Sequence, residues 1–115
     1  MEIMKKDNRV YFKEKNTSYG NISISENTIK IELIRVIEEF RGKGFASQLL
    51  EKIMQYIQEH YKHAKVILSP MPIGFGGDDK SQFNLEQLIQ FYKSHKFKES
   101  SEKTREEPYL MVRYV

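Results

Sequence analysis

Between residues 9 and 37 apolar and polar positions alternate, whereas beyond Gly44 apolar residues recur every three or four positions. The period changes once, at a pair of glycines. In the alternating region, residues 9–15 (RVYFKEK) set Val10 and Phe12 among polar neighbours, and residues 19–25 (YGNISIS) repeat the pattern. A period of two sends successive side chains to opposite faces of a strand. Residues 16–18 and the pair Glu26-Asn27 are polar turns between these strands. Residues 28–37 (TIKIELIRVI) give the clearest strand. Unbroken alternation places Ile29, Ile31, Leu33 and Arg35 on one face and Lys30, Glu32, Ile34 and Val36 on the other. The second face starts polar and ends apolar, as expected of a strand whose far end lines a cleft.

Past the glycines, Phe45, Leu49, Leu50, Ile53, Met54 and Ile57 fall at helical spacing and predict a helix reaching about Tyr61. Residues 64–69 (AKVILS) are short, apolar and β-branched, which predicts a buried strand ended by Pro70 and Pro72. Leu85, Leu88, Ile89 and Tyr92 mark a second helix, a strand begins at Phe97, and residues 109–115 (YLMVRYV) close the chain as the last strand. The predicted order is β-β-β-α-β-α-β-β. An antiparallel meander feeds a strand-helix-strand crossover, so the class is α/β in the α+β sense, with a mixed, mostly antiparallel central sheet flanked by helices.

A length of 115 residues predicts a single domain, 1–115. With 39% hydrophobic and 30% charged residues, the composition is that of a globular protein able to bury a modest core. No apolar run approaches the roughly 20 residues of a membrane span. The first residues, MEIMKKDNRV, lack the apolar core of a signal peptide, so a cytoplasmic location and no membrane partner are expected. Cysteine is absent, which removes disulfides, thiolate metal ligands and a cysteine nucleophile. The net charge of +3, from 19 basic and 16 acidic residues, is small and dispersed. It suits an anionic ligand and gives no reason to expect nucleic acid.

The candidate chemistry centres on residues 40–50, FRGKGFASQLL. A helix N-terminus carries unpaired N–H groups and partial positive charge. Glycines ahead of it allow close backbone approach, and Arg41 and Lys43 add charge, which together describe a phosphate or pyrophosphate site. A plain strand-to-helix turn with solvated bases accounts for the same residues. The segment lacks the lysine-serine or lysine-threonine pair of a nucleotide-hydrolase phosphate loop and the three spaced glycines of a dinucleotide fold. Elsewhere, Asp78 and Asp79 sit in a glycine-rich loop, where they would attract a cationic amine but make a poor metal site unaided. His60 and His63 have no evident third ligand, so no metal is expected. His95 falls at a helix end, and residues 98–108 read as a solvated loop.

Two motifs resemble those of the GNAT superfamily of N-acetyltransferases. Arg41, Gly42, Lys43, Gly44, Phe45 and Ala46 match its acyl-CoA loop of Arg or Gln, two residues, Gly, one residue, Gly or Ala. The segment FYKSHKF, residues 91–97, is similar to the family's "FY…GF" segment on the last helix. The likeness covers about residues 8 to 115. It implies transfer of an acetyl group from acetyl-CoA to a primary amine by direct attack on the thioester, with a small-molecule or peptide acceptor. By resemblance, residues 41–46 bind the CoA pyrophosphate, and Ser47 adds a hydroxyl. Ile34, Arg35 and Val36 pair their backbone with the pantetheine arm and acetyl carbonyl, Tyr92 protonates the departing thiolate, and Glu32 is the candidate base. An ordinary cross-strand partner for a lysine is the other account of Glu32. The chain departs from the family in three places. Ile37 and Glu38 replace the usual acidic or polar residue and proline, Lys96 replaces the glycine before the last phenylalanine, so that the turn there must be built differently, and only about eight residues precede the first predicted strand. A truncated N-terminal region would leave the acceptor side open, so a large acceptor or a homodimer would each fit. A catalytically weak CoA- or acyl-CoA-binding module, acting as sensor or subunit, is the alternative function.

Overall fold

The computed structural model describes residues 1–70, 84–100 and 110–115. The alternating region forms β2 (Arg9–Glu14), β3 (Ser18–Ser25) and β4 (Thr28–Val36), preceded by β1 (Glu2–Lys6). Then come α1 (Phe45–His60), β5 (Lys65–Leu68), α2 (Leu85–Ser94), β6 (Lys98–Glu99) and β7 (Met111–Tyr114). The strands make one sheet in the order β1-β2-β3-β4-β5-β7-β6, parallel between β4 and β5 and antiparallel at every other pairing. The order therefore opens with four strands, one more than the hydrophobic pattern predicts. β1 (EIMKK) does not alternate and is exposed along its whole length. It exists because its backbone pairs with β2, from Glu2↔Lys13 to Lys6↔Arg9, across a turn in which Asp7 takes φ +56°. The residues ahead of the first predicted strand are thus an edge strand.

The core lies between the sheet and α1. Val10, Phe12, Ile22, Ile29 and Ile31 meet Leu49, Leu50, Ile53, Met54 and Ile57, all buried. Val66, Leu68, Phe97 and Met111 extend the same cluster, and Ile89, Phe91 and Tyr92 of α2 pack against it. Both helices therefore share one side of the sheet, and among the described residues the other side carries no helix. No described helix is long and apolar enough to cross a membrane.

One irregularity decides which side chains of β4 face the core. Asn21 lies opposite Leu33, but the next residue, Ile22, lies opposite Ile31, so Glu32 is an extra residue and the ladder bulges. Residues directly opposite one another share a face. Ile31 opposite Ile22 and Ile34 opposite Gly20 therefore both point toward α1, and Val36 follows. The unbroken alternation expected from sequence is corrected here: Glu32 does not share a face with Ile34 and Val36, nor Leu33 with Ile31. Glu32 is exposed, and Ser23 Oγ donates to its carboxylate at 2.8 Å.

Gly20 sits where the bulge and α1 converge. A Cβ there would lie 2.5 Å from the Leu33 carbonyl oxygen and 3.4 Å from Ile53 Cδ1. The first contact is with backbone and cannot be relieved by a rotamer change. Gly20→Ala is expected to destabilise the protein by about 1–3 kcal/mol, the usual cost of overpacking a core. Urea unfolding measures this, and an unchanged midpoint would contradict the packing described.

Candidate active site

β4 and β5 pair only from Thr28↔Lys65 to Lys30↔Ile67. β4 then runs on to Val36 while β5 ends at Leu68, so the two strands part. Among the described residues, the edge of β4 that faces β5 has no strand partner beyond that point. Backbone N–H and C=O groups there need partners, and an extended ligand rich in amides can provide them. Ile34 and Arg35 are half-buried and Val36 is buried at this edge, with Arg35 opposite Tyr19 on the side away from α1.

The chain leaves β4 through Ile37 and a single 3-10 turn at Glu38–Phe40. Phe40 N–H donates to the Ile37 carbonyl at 2.8 Å, and Arg41 Nε reaches back to the Val36 carbonyl at 3.0 Å, tying the turn to the strand end. The rings of Phe40 and Phe45 meet edge-on at 5.8 Å, and Lys43 Nζ lies 5.9 Å from the Phe40 ring centre. Gly42 and Gly44 take φ of +77° and +84°, in the left-handed region that other residues avoid, and nothing lies within 4 Å of where a Cβ would stand. The bare backbone faces open space.

Gly44 is the N-cap of α1. No side chain caps the helix, and no acidic residue lies in its first turn. The N–H groups of Phe45, Ala46 and Ser47 lack intrahelical partners, as at any helix start. α2 shows the closed alternative within the same chain: Asn84 accepts from Gln87 N–H at 2.8 Å, Gln87 Oε1 accepts from Asn84 N–H at 2.9 Å, and Glu86 adds an acid. One helix start is satisfied by its own residues, and the other offers donors, positive charge and room. Arg41, Gly42, Lys43, Gly44, Phe45, Ala46 and Ser47 are thereby brought together, and their donor set fits a pyrophosphate.

Ser47 is engaged on its other side. Its Oγ lies 2.7 Å from His95 Nε2, and His95 Nδ1 lies 3.0 Å from Glu51 Oε2. Arg113 Nη1 donates to the His95 carbonyl at 3.0 Å and sits 3.6 Å from the same Glu51 oxygen. The sequence offered only half of this network. Ser47 and Glu51 are four apart and share a helix face, but nothing in the order of residues announces that α2 lays His95 between them.

Tyr92 is half-buried by area and packs edge-on against Phe91 at 5.2 Å and Phe97 at 5.9 Å. Desolvation pushes its hydroxyl up to about 12. It lies at the C-terminal turn of α2, where Phe97 N–H bonds the Tyr92 carbonyl at 3.1 Å and Lys96 N–H bonds the Lys93 carbonyl at 3.0 Å. This is the Schellman pattern, with Lys96 at φ +70° in the place glycine normally takes. A differently built turn was expected from the lysine. Instead the backbone keeps the glycine-type turn, and the lysine carries the strain.

The remaining candidates sort by position. Asp78 and Asp79 lie outside the described residues, as do residues 101–108 of the charged loop. His60 stacks on Tyr56 at 4.2 Å and bonds its carbonyl, near the far end of α1. A shallow concavity lined by Gln55, Gln58, Glu59, Lys62, His63 and Val115 lies at that same end, away from the glycine turn. Among the described residues no three His, Asp or Glu side chains cluster to hold a metal.

Residues 1–72 match the acetyltransferase (GNAT) domain family. The chain also resembles solved structures. With the anti-CRISPR protein AcrVA5 it shares 24% identity at a TM-score of 0.69, over 91% of this chain and 97% of that one. With Escherichia coli ElaA it shares 22% at 0.70, over 94% and 69%. With the PaiA N-acetyltransferase from Thermoplasma acidophilum, solved in complex with coenzyme A, it shares 14% at 0.62, over 86% and 54%. These likenesses are of fold. Comparison with curated proteins finds no match.

The strained turn yields a test of its own. Lys96→Gly is expected to stabilise the protein by about 1 kcal/mol, because glycine adopts positive φ without the Cβ penalty. A lower urea midpoint in the variant would show that Lys96 is not strained.

Proposed function

The chain belongs to the acetyltransferase (GNAT) domain family, and from that premise we propose that it is a single-domain, acetyl-CoA-dependent N-acetyltransferase acting on a primary amine. The observation that carries this is the uncapped, cationic start of α1, set where β4 parts from β5. Bound acetyl-CoA supplies the thioester. The backbone of residues 41–47, with the charge of Arg41 and Lys43, takes the pyrophosphate, and the stretch of β4 at Ile34, Arg35 and Val36, beyond its pairing with β5, takes the pantetheine amides. Ser47 adds its hydroxyl. The acceptor, a small-molecule or peptide amine, approaches from the face without helices, where the bulge presents Glu32. A large acceptor or a second copy of the chain has room on that face.

Glu32 takes a proton from the acceptor ammonium, the neutral amine attacks the thioester carbonyl, the N–C bond forms, the C–S bond breaks, and the amine's second proton ends on the sulfur that leaves toward Tyr92. A hydroxyl raised to about 12 keeps its proton at every working pH. It also holds that proton more tightly than a thiol does, ordinarily near 8.5. Tyr92 therefore acts chiefly as a hydrogen-bond donor to the developing thiolate, the type of stabilisation that matters most where charge appears in the transition state.

Two measurements test this assignment. Calorimetric titration with acetyl-CoA, CoA and ATP is expected to show micromolar binding selective for the two CoA species, followed by thiol release when amines are supplied. Equal binding of any polyphosphate would sink the assignment, and CoA binding without turnover on any amine would leave a CoA-binding module. Tyr92→Phe is expected to lower turnover by about tenfold to a hundredfold with CoA affinity nearly unchanged. Because the Tyr92 value is raised, the tyrosine loses no proton below about pH 10, so the shape of the rate profile there is the same in both proteins. Unchanged turnover would remove Tyr92 from the reaction.

A further inference from the structure

We infer that His95 is a positioning residue for the anion cradle, acting through Ser47: its protonation decides whether the Ser47 hydroxyl offers a proton or a lone pair to a phosphate at the start of α1. The inference rests on the CoA site proposed above. Ser47 is the third residue of α1, and side chains in a helix lean toward its N-terminus, so Oγ lies beside the uncapped N–H groups. Its contact with His95 Nε2 is 2.7 Å, and the imidazole side chain is only 11% exposed.

The tautomer follows from the neighbours. Glu51 approaches Nδ1 at 3.0 Å and, as a carboxylate, only accepts, so Nδ1 carries the proton. In neutral His95 the Nε2 lone pair then takes the Ser47 hydroxyl proton. Oγ turns lone pairs toward the cradle, where phosphate oxygens would be repelled. In the imidazolium both ring nitrogens donate. Nε2–H then bonds to Oγ, the Ser47 proton is released, and the hydroxyl donates to the anion alongside the backbone N–H groups. The charged groups around this ring are Glu51 on α1 and Arg113 on β7, 3.6 Å from the Glu51 carboxylate, while Phe91 on α2 packs its ring 5.0 Å from the imidazole. Arg41 and Lys43 share the cradle.

The sign is fixed by linkage. The protonated form binds the anion better, so binding draws a proton onto His95, and affinity rises as pH falls. One charge-assisted hydrogen bond gained or lost corresponds to roughly tenfold in affinity.

Dephospho-CoA is the probe, since it keeps the pyrophosphate and lacks the 3′-phosphate that titrates near neutrality. Titration calorimetry at pH 6 and pH 8, in buffers of different ionisation enthalpy, gives affinity and protons taken up. The wild-type protein is expected to bind about tenfold more tightly at pH 6 and to take up protons on binding. His95→Gln, whose amide donates to Ser47 at either pH, is expected to lose most of that dependence while still binding, and Ser47→Ala to lose it as well. Equal pH dependence in all three proteins would overturn the inference and leave the CoA site standing. Failure of the wild-type protein to bind dephospho-CoA and CoA at either pH would overturn both.

Discussion

The closeness of α1 to the sheet is the constraint on which the site depends. At Gly20 there is no room for a side chain, because the bulge turns the Leu33 carbonyl toward it and Ile53 Cδ1 presses from the helix. The unyielding backbone contact there is with β4, and α1 meets the same point through the Ile53 side chain, whose Cδ1 would lie 3.4 Å from an added Cβ. From there α1 runs back to Gly44, so its first turn stands at the end of β4, where β4 has already left β5. The bulge, the parted strands and the open helix start all lie on the C-terminal half of β4 and the turn that follows it. Without the bulge, unbroken alternation of the same residues would turn Ile34 and Val36 to the wrong face and detach the strand end from the core.

An open helix start has a cost. A side-chain cap contributes about 1 kcal/mol, and acids in the first turn add a few tenths more. α2 has both and α1 has neither. The contrast lies within one chain, so it does not come from composition. Arg41 and Lys43 add cations beside a positive helix end, which destabilises the empty loop further. A ligand with two adjacent negative charges would reverse each of these terms at once, which is the physical argument for a pyrophosphate over a single carboxylate at this turn.

Much of this was legible in the sequence. The strands around Val10, Ile22 and Ile29, the α1 stripe from Leu49 to Ile57, and the glycine turn followed from periodicity and residue chemistry. What failed had physical causes. β1 gave no pattern because neither of its faces is buried; its stability comes from backbone pairing, which leaves no mark on side-chain choice. The bulge hid because TIKIELIRVI alternates well enough to look regular, and a one-residue slip is set by the facing strand. Lys96 misled in a different way: its identity argued against a glycine-type turn, but the two backbone hydrogen bonds and buried Phe97 outweigh about 1 kcal/mol of strain. His95 was invisible because its partners lie 48 and 44 positions away.

That last contact also bears on how α2 is held. None of its residues is fully buried, so its apolar face alone anchors it weakly, and its two ends carry the rest. The Asn84 box secures the start, while Phe97 and the His95 bridge to Ser47 and Glu51 secure the finish. The bridge to α1 is thus shared between the docking of α2 and the cradle at Gly44. Free energies that share a contact are coupled in both directions. Any change that strengthens the hold of Ser47 on an anion alters the hold of His95 on Ser47, and with it the seat of Tyr92 one turn earlier on the same helix. Under the function proposed above, a ligand held at Ser47 would bear on the seat of Tyr92 through one turn of α2, with no moving domain required.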